Sequence, residues 1–186
     1  MPLGLEYDNI ERYLESYGKY IVRQAKKILS KRDDTGNLTK SLGFKLEEGQ
    51  DGYNIKFLAS KYAAYVAQGV SGTRTRRSYI DITGKRLTTK FKFKSTSNLI
   101  GLEAATGIFS KYAKRKGIKG RSKKGRFITD KSLGFAIAQS VKRKGIKASS
   151  FYTQPISWSF KTFKKEMIEN FKEDVLKEVK LFNKQK

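Results

Sequence analysis

Histidine and cysteine are both missing from this chain. Without cysteine there is no disulfide framework and no thiolate metal site. Without histidine the commonest general base and the commonest transition-metal ligand are lost together. Acids are scarce where cations are dense: residues 61–150 hold 23 Lys and Arg against only Asp81, Glu103 and Asp130. That leaves no convincing acid/base pair for catalysis, so no enzymatic activity, cofactor or metal is expected. Nowhere do about 18 apolar residues run together, and no membrane span is expected. Met1-Pro2-Leu3-Gly4-Leu5-Glu6 lacks a basic region followed by an apolar run, so no signal peptide is expected. The chain reads as a soluble protein of the cytosol, or as a component assembled there.

What is present is positive charge, and it is unevenly placed. The net charge is +24, from 41 Lys and Arg against 17 Asp and Glu. Residues 1–60 carry ten cations and nine acids, and residues 151–186 carry eight and five. The ends are nearly neutral and the middle is a concentrated cation. Such a field meets a polyanion, either nucleic acid or an acidic protein surface, or else repels itself. A length of 186 residues fits one domain, 1–186. The 38% apolar content, with twelve Phe and ten Tyr, is enough to build a core without staples.

Periodicity predicts an α+β fold: an antiparallel sheet packed by an N-terminal and a long C-terminal helix, with an extended basic insertion. A first helix over 8–32 has Ile10, Tyr13, Leu14, Tyr17, Ile21, Ala25 and Ile28 on one face. Asp8 and Glu11 have capping-box spacing. Leu42, Phe44 and Leu46, then Tyr53, Ile55 and Phe57, alternate with polar neighbours around a Gly-bearing turn, which predicts a hairpin. A short helix from Lys61 to Gln68 follows, with Tyr62, Tyr65 and Val66 inward. Residues 70–101 read as an extended basic loop or arm with a second hairpin around Thr83-Gly84-Lys85. Helices are expected over Leu102–Lys116 and Lys131–Lys144, with a flexible basic loop over 117–130 between them. Phe151–Ile156 looks extended, and Ser157–Phe182 forms the last helix, with Phe160, Phe163, Met167, Phe171, Val175 and Val179 at helical spacing.

The sequence Lys-Arg-Lys-Gly-Ile-Lys occurs twice, at 114–119 and 142–147. The duplication is compatible with a phosphate-binding module. Helix capping explains it more simply, with Gly117 and Gly145 left-handed, Ile118 and Ile146 folding back, and the cations complementing the helix dipole. Lys114 to Lys131 holds nine cations with Gly117, Gly120 and Gly125 between them, a polycation that binds phosphates without reading bases. In Lys90-Phe91-Lys92-Phe93-Lys94, alternation gives a strand with one cationic and one aromatic face. The aromatic face is either half buried or a stacking platform for single strands. Glu178-Val179-Lys180 has a spacing found in some nucleases but no companion carboxylate. Gly69-Val70-Ser71-Gly72 lacks the Lys of a phosphate-cradling P-loop.

Three segments in order, "TGNLTKSL" at 35–42, "YAAYVAQGVSGT" at 62–73 and "RKGIKASSFYTQP" at 143–155, make the chain similar to a known family. It resembles the small head–tail connector proteins of tailed bacteriophages, known as neck, tail-completion or tail-attachment proteins. The likeness covers most of residues 35–156. It implies a small α+β subunit with no enzymatic activity, located in the virion as a homo-oligomeric ring between portal and tail, of six or twelve copies or another closed number. The implied partners are other copies of the chain, neighbouring portal, neck and tail proteins, and double-stranded DNA in the channel, with no membrane. The residues expected to contact DNA or a neighbouring subunit are Arg74, Arg76, Arg77, Lys85, Arg86, Lys90, Lys92, Lys94, Lys114, Arg115, Lys116, Lys119, Arg121, Lys123, Lys124 and Arg126. The alternative is a free nucleic-acid-binding accessory protein without sequence preference.

Overall fold

The computed structural model describes residues 8–30, 35–49 and 52–184. The expected end of the first helix, at Lys31 and Arg32, lies outside the described residues. Helix α1 spans Asp8–Leu29 and buries Ile10, Leu14, Gly18, Ile21, Ala25 and Leu29, a stripe repeating at three and four residues. The short helix α2 (Asn37–Ser41) leads into the hairpin β1 (Gly43–Gly49) and β2 (Gly52–Leu58), paired antiparallel from Gly43 opposite Leu58 to Gly49 opposite Gly52. Gly18 lies beneath this hairpin. A Cβ there would overlap the Phe44 ring, so the glycine lets β1 close onto the helix.

The long last helix, α7 (Thr153–Lys184), packs along α1. Phe163 sits among Tyr13 and Tyr17, with ring centroids 5.9 and 4.5 Å away. The expected capping box at the start of α1 is replaced by a long-range clamp. The buried Asp174 carboxylate of α7 accepts from the backbone N–H groups of Asn9 (3.1 Å) and Ile10 (3.0 Å). Asp8 pairs instead with Lys177 at 2.7 Å, and that bond holds its carboxyl below the ordinary range. Two first-turn donors of α1 are thereby satisfied from the far end of the chain. Asp174→Ala leaves them buried and unpaired. It is expected to cost about 2 kcal/mol in urea unfolding, whereas Asp8→Ala, which breaks only an exposed pair, is expected to leave the urea midpoint much closer to that of the wild type.

The core joins Ala25 and Leu29 of α1 to Leu38, Leu42, Ala63 and Phe151. Ala63 opens helix α3 (Ala63–Gln68), which is shorter than the span from Lys61. Its register turns Ala63, Val66 and Ala67 inward and leaves Tyr62 and Tyr65 about half exposed, contrary to the expectation for the two tyrosines. Tyr65 lies against Phe91, with ring centroids 4.4 Å apart.

Among the described residues the strands form three two-stranded antiparallel ladders rather than one sheet. Besides β1–β2 these are β3 (Val70–Ser71) with β6 (Gly145–Ile146), and β4 (Ser78–Ile80) with β5 (Arg86–Thr88). The class is α+β. The helix expected over Leu102–Lys116 is two helices, α4 (Leu99–Thr106) and α5 (Ile108–Arg115), because Gly107 adopts φ +60° and turns the chain. Glu103 is buried at this corner. Its carboxylate accepts from the backbone N–H of Phe109 (2.7 Å) and Ser110 (3.1 Å) and from the Ser110 hydroxyl, capping α5. Helix α6 (Asp130–Lys144) crosses behind, with Gly134 making room for Glu103.

Burial disfavours the Glu103 anion, but the Ser110 hydroxyl and the two amides outweigh it and hold its carboxyl below the usual value of 4.5. A depressed carboxyl stabilises the fold above its unfolded value and loses that contribution as pH falls through the folded one. Wild-type stability is therefore expected to fall more steeply below about pH 4.5 than that of Glu103→Gln, as read from urea midpoints between pH 2 and 7.

Residues 151–156 are not extended. Phe151 and Tyr152 form a turn and α7 begins at Thr153, with Pro155 in its first turn, where no N–H is needed. Ser150 precedes it at φ +47°, held by bonds from its N–H to Ala67 O (2.9 Å) and from Ile80 N–H to its hydroxyl (3.0 Å).

Candidate cationic interface

Ser71 is the hub where the basic segments meet. On one side it pairs with Gly145. On the other its N–H donates to Phe91 O (2.8 Å), and its carbonyl accepts from Phe93 N–H (2.9 Å). Its hydroxyl accepts from Arg77 N–H at 3.0 Å. Residues 70–101 are thus tied down at several points instead of projecting as an arm, because backbone polar groups buried at the hub need partners.

The same joint closes helix α6. A helix end leaves four carbonyls without intrahelical donors. Here Val141 O accepts from Gly145 N–H, and Lys142 O from Thr73 N–H at 2.9 Å. Arg143 O accepts from Arg74 N–H at 3.0 Å, and Lys144 O from the Arg77 side-chain Nε–H at 2.8 Å. The segment Thr73-Arg74-Thr75-Arg76-Arg77 is therefore the cap of α6. Its cations, with Lys142, Arg143 and Lys144, gather at the negative end of the helix dipole, which offsets part of their mutual repulsion.

Backbone contact at this joint requires glycine. A Cβ on Gly69 would lie 2.6 Å from Ile146 O and Ala148 N, and one on Gly145 would overlap Val70 O. Ser149 N–H donates to Val66 O (3.0 Å) and Ser150 N–H to Ala67 O (2.9 Å), completing the seam.

Two open grooves flank the hub. One, of about 330 Å³, is lined by Arg76, Arg77, Arg86 and Lys147 among others. The other, of about 650 Å³, is lined by Lys90, Lys92 and Lys94 with the hydroxyl residues Thr73, Ser95 and Thr96. Among the described residues no acid lines either groove. Asp81, the acid between them in sequence, spends its carboxylate on Thr83 N–H and hydroxyl and on Lys85 N–H. The Thr83 hydroxyl is the chief reason that its carboxyl stays below the ordinary range, ahead of the two amides. Phe91 and Phe93 are half buried and their lysine neighbours exposed, but 90–94 is not a strand: Lys92 alone makes an isolated parallel bridge, to Ser71.

The remaining expected contact residues lie elsewhere. Lys85 sits on the β4–β5 turn, outside both grooves. Lys114, Arg115, Lys116, Lys119, Arg121, Lys123, Lys124 and Arg126 belong to the α5–α6 connection. That connection is an ordered turn rather than a free loop: Arg121 bridges Phe127, Ser122 N–H donates to Arg126 O (2.8 Å), and Ile128 N–H donates to Gly120 O (3.1 Å). The Arg121 guanidinium lies 4.2 Å from the Phe127 ring centroid, although Phe127 itself is 63% exposed. This second patch is at the N-terminal end of α6 and the hub at its C-terminal end, so about 20 Å of helix separates them.

The two Lys-Arg-Lys-Gly-Ile-Lys copies diverge. At the first, Gly117 has φ +63° and Ile118 N–H donates to Ala113 O (2.8 Å), a helix cap. At the second, Gly145 enters a strand at φ +73°, ψ −173°. Both isoleucines stay about 40% exposed, so neither folds fully back. Lys142, Arg143, Lys144 and Lys147 were not among the expected contact residues. The repeat was the signal for them, because it carries the same cations into the hub.

Among the described residues no group of three His, Cys, Asp or Glu side chains could hold a metal ion, and no helix is long and apolar enough to cross a membrane. No protein-family model, curated protein or solved structure matches the chain.

Proposed function

We propose that this chain is a structural subunit of a tailed-bacteriophage virion. Copies close into a homo-oligomeric ring in the neck, joining the portal side of the head to the tail. The cationic hub and the α5–α6 turn face the backbone of duplex DNA. The protein acts by holding rather than by making or breaking bonds.

The observation that carries this reading is the joint between "YAAYVAQGVSGT" and "RKGIKASSFYTQP". These are the sharpest parts of the resemblance, and Val66 and Ser149 within them are 83 residues apart, yet they form one hydrogen-bonded seam. The seam brings 74–77, 90–94 and 142–147 to one place. Lys and Arg in open grooves lined without acids suit phosphates, which such side chains grip without reading sequence. Two unit charges 10 Å apart in water repel by about 0.4 kcal/mol, so a cluster of this size gains several kcal/mol from a polyanion.

The same grooves favour a second reading, a free nucleic-acid-binding accessory protein that works as a monomer or dimer. Electron microscopy of the purified protein and of particles separates the two. Rings, or density for this subunit at the head–tail junction, are expected. A strictly monomeric protein absent from particles would overturn the neck assignment.

A further inference from the structure

The longest run without a cation in the chain is 95–110, inside its most basic half. Helix α4 occupies the centre of this run and is apolar on nearly every side. Its inner side, with Leu99 and Glu103, packs toward α6, while Ile100 and Leu102, and Ile108 just beyond, remain 45, 42 and 47% exposed. At another place on the molecule, α1, the β1–β2 hairpin and α7 enclose an open groove of about 820 Å³. Its walls include Leu14, Ile55, Phe57, Phe160 and Met167; among the described residues Glu48 is its one charged residue, and no Lys or Arg lines it.

We infer that α4 of one copy seats in the α1–hairpin–α7 groove of the next, and that this contact closes the ring. The inference rests on the ring reading above and names its interface. Charge selects the occupant. Two bodies of net charge +24 repel across most of their surfaces. A convex apolar helix without cations and a concave apolar groove with Lys164 at its edge, 4.8 Å from the Phe160 ring, are where copies meet at low electrostatic cost. α4 is about 12 Å long and presents its exposed apolar side chains over barely two turns. The two surfaces are different patches of one chain, so the contact is head-to-tail, which is the geometry that generates rings when the rotation closes.

The absence of native cysteine makes each introduced thiol unique. Ile100→Cys and Met167→Cys chains, differently tagged, are mixed and treated with a short bismaleimide. A mixed dimer is expected, and the doubly substituted chain is expected to give a ladder ending at the ring's copy number. Leu102→Lys, on an exposed position, is expected to lower the oligomer fraction at least tenfold in sedimentation velocity while the circular dichroism of the folded chain stays unchanged.

Rings that persist in Leu102→Lys and give no mixed dimer overturn this interface and leave the ring reading standing. Met167→Cys that links only to itself, or only to another virion protein in particles, also overturns it. A wild-type chain that is monomeric and missing from particles removes the ring reading itself.

Discussion

Gly145→Ala is expected to destabilise the protein by about 4 kcal/mol, a large share of the 5–15 kcal/mol that holds a domain of this size together. At φ +73° and ψ −173° the backbone is in a region essentially reserved for glycine, which alone costs about 1–3 kcal/mol for another residue. The added Cβ would also overlap Val70 O and press on Gly72 N, so the β3–β6 pairing has to open. Gly117→Ala is the control. It occupies the equivalent position of the other Lys-Arg-Lys-Gly-Ile-Lys copy, at φ +63°, with nothing within 4 Å of the new Cβ. It is expected to cost about 1 kcal/mol. With a urea slope of about 2 kcal/mol per molar, the midpoints should fall by about 2 M and 0.5 M respectively. Equal shifts would mean that the two copies serve the same capping role, and the seam around Ser71 would lose its structural basis.

That contrast also marks where sequence reading stops. Local periodicity was enough for α1 and the β1–β2 hairpin, since burial at three-to-four or alternate spacing follows from helix and strand geometry. Helix α7 forms, but Phe160, Phe171 and Val179 of its expected apolar face stay 45, 48 and 50% exposed while Asp174 is buried. The two hexapeptides are identical, and only their surroundings send one into a helix cap and the other into a strand. Gly107 looked like any helix glycine until Glu103 was seen turning back to cap α5. Asp174 lies 165 residues from Asn9, beyond the reach of any local capping signal.

The candidate interface was legible in part for the same reason. The density of Lys and Arg between 74 and 126 was plain, and the structure gathers Arg76, Arg77, Arg86, Lys90, Lys92 and Lys94 around one hub. The four carbonyls at the end of α6 reveal something composition does not. The loop at 73–77 is a structural cap as well as a source of charge, and Arg77 carries both roles through its bond to Lys144 O.

Those two roles set the terms for testing DNA contact. Substitutions have to spare Arg77, whose side-chain bond to Lys144 O helps close α6. Lys90, Lys92 and Lys94 are exposed and line one groove. Changing all three to Gln is expected to flatten the log–log salt dependence of duplex binding by about 2.7, at about 0.9 per phosphate released. Extrapolated from 1 M salt, that slope corresponds to roughly 500-fold weaker binding at 0.1 M. Arg76, Arg86 and Lys147 changed together should act similarly from the other groove, and Lys123, Lys124 and Arg126 from the α5–α6 turn. Because about 20 Å of α6 lies between the hub and that turn, a combination across them should multiply the losses. Binding measured by fluorescence anisotropy across 50–300 mM salt decides the matter. If affinity and slope stay unchanged in all three triple variants, the grooves do not hold DNA, and the charge is directed at an acidic protein ring instead.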